Sequence, residues 1–391
     1  MTKLKVHRYE EELIQDLGFS FVFTNSERNE LGCPRKWYFS YNQSLSPKRT
    51  SMSFAWGISW HTLMEDLFNY WKKFDDEIFI ENPLFEESFN KIRSFLIEEG
   101  IEPEQVIKDL LVALEGYLMI FGNKPRDFKV LEVEVPLRYP VRDFRGELYS
   151  SKVFLEEFED CYKLAEPSTI NKIEKLMPFY VIGRADAIVQ SRTSGELFIY
   201  DHKTTASINR FLSSHEVDPQ LCSYAAMLEY EKNSGYLQAY KQYKIGGVIY
   251  GLTSNGSTSL PKPLKTGGFS KAKSNKTPSW VYRNTVGDDT EYDSHISKLQ
   301  DTVDPLWHRR EWLPLDINSV ERWKSESYGT ARRLADTYRC LSLFENADSW
   351  ATPRVPICKT TGFCQYKEIC VTDSPLLRGD FNKLDKIIWR K

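Results

Sequence analysis

The sequence predicts an α/β protein, a mixed β-sheet with helical additions on either side of it. Three observations point there. Apolar residues in the first third recur every three and four positions, the helical period. From Lys129 the pattern turns to strand-like alternation. A helix start then interrupts the strands, giving the order helix–strand–strand–strand–helix–strand.

Taken along the chain, residues 1–30 read as polar and helical. LGCPRKWYFSY (31–41) sets a cysteine among basic and aromatic residues. A helix follows over 53–73, with Trp60, Leu63, Met64, Leu67, Phe68 and Trp71 as its apolar stripe. A second helical region covers 84–122 and stops near Gly122, with Pro125 beyond. VLEVEVPLRY (130–139) alternates as a strand does, whereas 141–176 carries no clear pattern. PFYVIGRADAIV (178–189), the turn 191–195 and ELFIYDHKTT (196–205) read as a hairpin. Asp218 as N-cap and Pro219 at the first helical position begin a helix to about Lys232. IGGVIYGLT (245–253) is the last predicted strand, 254–279 a long loop, and 290–347 helical. Four regions result: 1–128, helical, with Cys33 and His61; 129–253, the core; 254–280, the Lys-rich loop; and 281–391, helical and ending in cysteines.

Composition limits the function. The chain of 391 residues is 41% hydrophobic and 27% charged, too apolar for disorder. Its net charge is -3, so a nucleic-acid contact would need a local basic patch. No apolar run approaches the length of a membrane span, roughly 18 residues. MTKLKVHRYEEELIQ lacks a signal-peptide core. A soluble, cytoplasmic protein is expected. Seven cysteines, an odd number, argue for thiols or metal ligation over a disulfide framework.

The predicted hairpin carries the chemistry. Asp186 lies near the end of one strand, and Asp201 and Lys203 lie on the next. Residues two apart on a strand share a face, so Asp201 and Lys203 point one way and His202 the other. Two carboxylates from adjacent strands can reach one hard cation such as Mg²⁺ or Mn²⁺. A D-x-K triplet by itself is usually a surface ion pair. Here the apolar Leu197–Tyr200 precedes it, an unusual place for charges. His61 and Glu65 stand four apart on a predicted helix, as do Gln220 and Tyr224.

Together these residues resemble a known pattern. G-x3-H-x3-E (Gly57, His61, Glu65), G-R-A-D (Gly183–Asp186), D-H-K (Asp201–Lys203) and Q-x3-Y (Gln220, Tyr224) occur in the order found in RecB-type nucleases of the PD-(D/E)XK superfamily. The resemblance spans about residues 31–370. It implies a restriction-endonuclease-like core and metal-dependent hydrolysis of DNA phosphodiesters, as an exonuclease on single strands or ends in recombination, replication or repair. His61, Asp186, Asp201 and the His202 backbone carbonyl would hold Mg²⁺ or Mn²⁺. Lys203 would be the catalytic lysine, Glu65 would orient His61 or a water, and Gln220 and Tyr224 would help hold DNA.

The cysteines resemble those of AddB-type and CRISPR-associated relatives. Cys33 precedes the core, and Cys358, Cys364 and Cys370 follow it. The resemblance implies a [4Fe-4S] cluster clasping the two ends of the chain. Five residues separate Cys358 from Cys364 where two are common, which keeps structural Zn²⁺ as the alternative. The segment 261–280, with Lys262, Lys265, Lys271, Lys273 and Lys276, resembles phage-encoded members. It suggests a host-cytoplasmic protein whose loop tracks DNA phosphates. No Walker A motif is present, so a helicase would be a partner. The alternative is a nuclease-fold DNA-binding subunit of a recombination or replication complex, active only with partners.

Overall fold

The computed structural model describes residues 21–42, 45–47, 51–149, 179–214, 219–255, 260–265, 267–271, 277–343, 364–366, 370 and 381–383. Asp218, Cys358, Lys273 and Lys276 lie outside them.

A six-stranded mixed sheet forms the centre: β1 (Phe21–Thr24), β3 (Phe128–Pro140), β4 (Phe179–Ser191), β5 (Leu197–Thr205), β6 (Ile245–Ser254) and β7 (His308–Pro314). β3 runs antiparallel along one edge of β4. The other edge of β4 is shared. β1 takes residues 179–182 in parallel, and β5 takes 187–190 antiparallel. β5 continues into a parallel pairing with β6, and β7 closes the row antiparallel to β6. A separate two-stranded ribbon joins β2 (Leu45–Pro47) to β8 (Phe381–Lys383).

Helices cover both faces. On one lie α3 (Met52–Phe74), α4 (Pro83–Glu98) and α5 (Pro103–Phe121), whose Trp60, Leu63, Phe68, Leu114 and Tyr117 pack on Ala187, Val189, Phe198, Tyr200 and Ile249. On the other lie α7 (Pro219–Asn233) and α10 (Ile317–Leu343), whose Met227, Leu228, Val320 and Trp323 pack on Val181, Ile188, Ile199 and Val248. α3 buries the apolar stripe its sequence spaces at three and four, whereas α7 is buried around most of its girth from Ser223 to Leu228. The remaining helices are α1 (Asn25–Glu30), α2 (Pro34–Trp37), α6 (Ile208–Ser214), α8 (Ser279–Val286) and α9 (Asp293–Thr302).

The predicted α/β class and mixed sheet hold, with four corrections. Phe21–Thr24 is a strand rather than part of a helix, and Phe23 is fully buried. The region 84–122 is two helices, because Glu102–Pro103 starts a new one at the position proline favours. The stretch 290–347 is broken by β7. Asp186 lies inside β4 rather than near its end. Among the described residues, no helix is long and apolar enough to cross a membrane.

The first and last described segments meet. Ser40 Oγ donates to Tyr366 Oη (3.1 Å), and Tyr366 Oη donates to the Leu45 carbonyl (2.6 Å). Phe39 and Tyr366 bury each other there, with Cys364, Cys370 and Phe381 packed around them. The ends are therefore fastened by a ribbon and an aromatic cluster. Cys33 is buried, and none of Cys33, Cys364 and Cys370 is in a disulfide.

Candidate functional site

The site opens where the sheet splits. β5 pairs with β4 only as far as Tyr200 opposite Ala187. β1 occupies the same edge only up to Ile182. Residues 183–186 of β4 therefore face a gap, and Asp186 stands in it. Its Oδ2 accepts the His202 backbone N–H at 2.6 Å, replacing the ladder bond that ends there. The same oxygen is 3.5 Å from His61 Nδ1 on α3.

Two glycines let helices approach this gap. A Cβ on Gly57 would come within 3.2 Å of Thr204 Oγ1, so α3 lies close on β5 and brings His61 over the split. A Cβ on Gly183 would come within 3.0 Å of Met227 Cε and 3.2 Å of Tyr224 Cε1, so α7 lies close on β4. The glycines of the two sequence motifs are thus spacers for the chemical residues beside them.

From the gap a polar line runs toward α7. Lys203 Nζ is 2.7 Å from Asp201 Oδ2, an ion pair whose geometry is off the line a hydrogen bond requires. The ammonium donates to Gln220 Oε1 (3.1 Å), and Gln220 Nε2 donates to Tyr224 Oη (2.7 Å). The shared face expected for Asp201 and Lys203 is present. His202 points the other way, its ring edge-on to Phe68 at 4.8 Å.

Electrostatics follow from this burial. Desolvation works against a proton on His61, yet the Asp186 carboxylate outweighs it and raises its pKa to about 9. Burial pushes Asp186 up, but His61 beside it holds the carboxyl below the usual range. Asp201 is raised to about 6: burial drives it up, Lys203 pulls back, and the charge of Asp186 adds to the rise. His202, desolvated, is held neutral down to about 3.

One residue of the site was not foreseen. Glu134, on β3, falls between Val133 and Val135, which pair with Ala187 and Ala185, and so lies opposite Asp186. Its φ is 52°, left-handed for a residue with a side chain. Val133 packs in one core and Val135 in the other, and Ala187 and Ala185 divide the same way. Residues two apart on a strand normally share a face, so both strands turn over at Glu134 and Asp186. Arg184 Nη1 is 3.1 Å from Glu134 Oε2. Burial, with the charge of Asp186 and against that of Arg184, raises the Glu134 carboxyl to about 7. The VEVEV-like alternation of this segment gives no sign of it, because it reads Glu134 as an outward position of an ordinary strand.

As they stand, these groups do not close around an ion. Among the described residues no three His, Cys, Asp or Glu side chains form a metal-holding set, at this site or at Cys33, Cys364 and Cys370. The donors at the gap nevertheless suit a hard divalent cation: two carboxylates from adjacent strands, the buried Asp201 and the half-buried Asp186, and an imidazole. Asp201 Oδ2 is buried and faces the Lys203 ammonium at 2.7 Å.

Three lysines of the Lys-rich segment fall among the described residues. Lys262 and Lys265 are exposed. Lys271 is also exposed but engaged, 3.1 Å from Glu291 Oε1 and 4.6 Å above the Tyr292 ring.

Comparison with known proteins adds one match. A family model described as the PD-(D/E)XK nuclease superfamily matches residues 29–371. No curated protein matches the chain.

Proposed function

Because the chain belongs to the PD-(D/E)XK nuclease superfamily, we propose that it is a metal-dependent deoxyribonuclease whose chemistry is centred on Asp186, Asp201 and Lys203. The observation that carries this reading is the split in the sheet, where two carboxylates and a lysine from adjoining strands converge with His61. Asp186, Asp201, His61 and the His202 carbonyl would hold Mg²⁺ or Mn²⁺. Such a cation supplies a Lewis acid and an acidified water.

The protein's own groups do the positioning. The His202 N–H fixes the Asp186 carboxylate, which in turn holds His61. Gln220, steadied by Tyr224, keeps the Lys203 ammonium beside Asp201. There Lys203 can neutralise charge that grows on a phosphate in the transition state. Glu65, one turn along α3 from His61, orients the imidazole or a water. Arg184, paired with Glu134, adds a second cation to the rim.

Exonuclease action on single strands or ends, a role in recombination, replication or repair, and a helicase partner belong to the same proposal. So does a [4Fe-4S] cluster at Cys33, Cys358, Cys364 and Cys370, of which Cys364 and Cys370 pack at the junction of the two ends. The deciding experiment is incubation of end-labelled single- and double-stranded DNA with Mg²⁺, Mn²⁺ or chelator. Cleavage should need the metal and disappear in Lys203→Ala, while that variant still binds DNA. Full cleavage by Lys203→Ala would refute the assignment.

A further inference from the structure

The helix that carries His61 also carries side chains its core does not use. The buried face of α3 runs through Ala55, Trp56, Trp60, Leu63, Met64, Leu67 and Trp71. Phe54, Ile58, His61 and Glu65 follow one another at three and four on another face. On a helix buried on one side, that row is where polar residues belong. Its first two members are instead apolar. Phe54 is 64% exposed and Ile58 half-buried, and neither joins a hydrophobic cluster of the described residues.

A single exposed phenylalanine is ordinary; its position gives this one meaning. Seven residues of helix place Phe54 roughly 10 Å along the same row from His61. Ser53 Oγ, beside it, accepts from Asn255 Nδ2 (2.9 Å). The Asn255 N–H bonds the Thr205 carbonyl (3.0 Å), two residues beyond Lys203. Asn255 also begins the segment that leads to the exposed Lys262 and Lys265. Phe54 thus stands beside the end of the Lys203 strand, where the basic segment starts. An exposed aromatic face beside the strand that carries Lys203 and leads into a basic segment is the chemistry that binds an unpaired nucleotide, whose base stacks while its phosphates meet the charges. A duplex keeps its bases stacked on one another and has little use for such a ring.

We propose that Phe54, backed by Ile58, is the platform on which an unpaired base stacks a few nucleotides from the scissile phosphate, so that the substrate is a single strand or an unpaired end. This rests on the nuclease reading above and names the substrate form for the same site.

The test combines a side-chain deletion with a base deletion. Binding of a short labelled single strand is followed by fluorescence anisotropy in chelator, and cleavage by steady-state kinetics in Mn²⁺. Oligonucleotides carry one abasic position, moved stepwise along the strand. Phe54→Ala should weaken single-strand binding, and raise KM, roughly tenfold or more. Blunt duplex should be affected far less, and Phe54→Trp should restore the single-strand value. One abasic position should cost the wild type a similar factor and cost Phe54→Ala nothing. Identical abasic profiles in the two proteins, or unchanged single-strand affinity in Phe54→Ala, would overturn the platform. The two readings fail separately. Metal-dependent cleavage lost in Lys203→Ala with no Phe54 effect removes the platform alone. The abasic signature without cleavage of any DNA removes the nuclease reading alone. Failure to bind a single strand at all removes both.

Discussion

Replacing Asp201 by Asn should make the metal-free protein more stable while destroying its activity. Asp201 is 3% exposed. Its carboxyl loses its proton near pH 6 in the fold, against 3.8 for the ordinary group. A raised acid pKa means that the folded state binds a proton the unfolded state has released. The associated stability is complete below 3.8, falls between 3.8 and 6, and is absent above. A displacement of about two pH units, at ~1.4 kcal/mol for each, gives a penalty of about 3 kcal/mol at pH 8. Asparagine has nearly the shape of the protonated acid and carries no charge, so Asp201→Asn should recover most of that amount. The measurement is chemical unfolding of both proteins in chelator at pH 4 and pH 8. The wild-type curve alone would mislead, because His202, held neutral to about 3, gains stability as pH rises from 3 to 6.5. The difference between variant and wild type isolates Asp201. It should be small at pH 4 and about 3 kcal/mol in favour of asparagine at pH 8. Excess Mn²⁺ should then stabilise the wild type and not the variant. An asparagine protein less stable than wild type at pH 8, or a gap that ignores pH, would refute the argument.

Glu134→Gly should be more stable than Glu134→Ala by about 1 kcal/mol, since both lose Arg184 but only glycine takes a left-handed φ without strain; thermal melts decide it, and the reverse order would exclude a left-handed backbone there. Replacing Lys262 and Lys265 together by Ala should flatten the log–log salt dependence of single-strand binding by up to about 0.7 per lysine, equally for all sequences. An unchanged slope would show that these side chains contact no phosphate. Protein purified without oxygen should contain about four irons per chain and absorb in the visible if the four cysteines ligate a cluster; stoichiometric zinc and no colour would leave the structural-metal alternative. Cys33→Ser should lower stability in either case, because the Cys33 side chain is buried.

What could be read in the sequence was what is local and periodic. The α3 stripe, the β4–β5 hairpin and the proline that opens α7 each declare themselves within a short, continuous stretch of sequence. So did Asp201 and Lys203, because two positions on one strand share a face whatever surrounds them. β1 escaped because FVFT is only four residues long, and its partner, Phe179–Ile182, lies far along the chain. β7 escaped because HRREWLP carries three charges, and as a strand pairing with β6 alone in the sheet it alternates only weakly. Glu134 could not have been found: nothing marks a non-glycine residue for positive φ, and its meaning depends on Asp186 across the strand pair. Sheet order itself arises from contacts between distant segments, which no window of sequence contains.

The ribbon between β2 and β8 has a kinetic consequence. Tyr200 meets Ala187 across a tight turn, whereas Leu45 must find Lys383 across nearly the whole chain. A loop about twenty-five times longer costs about 3 kcal/mol more entropy to close, so little rewards the ribbon until the sheet has already drawn its ends together. The hairpin that bears Asp186 and Asp201 can therefore assemble early, and the fastening of the ends should come last. Read backwards, the same ordering makes that fastening the first part to let go. Transient opening under native conditions would begin at Leu45–Pro47 and Phe381–Lys383 and leave the sheet, with its carboxylates, still folded.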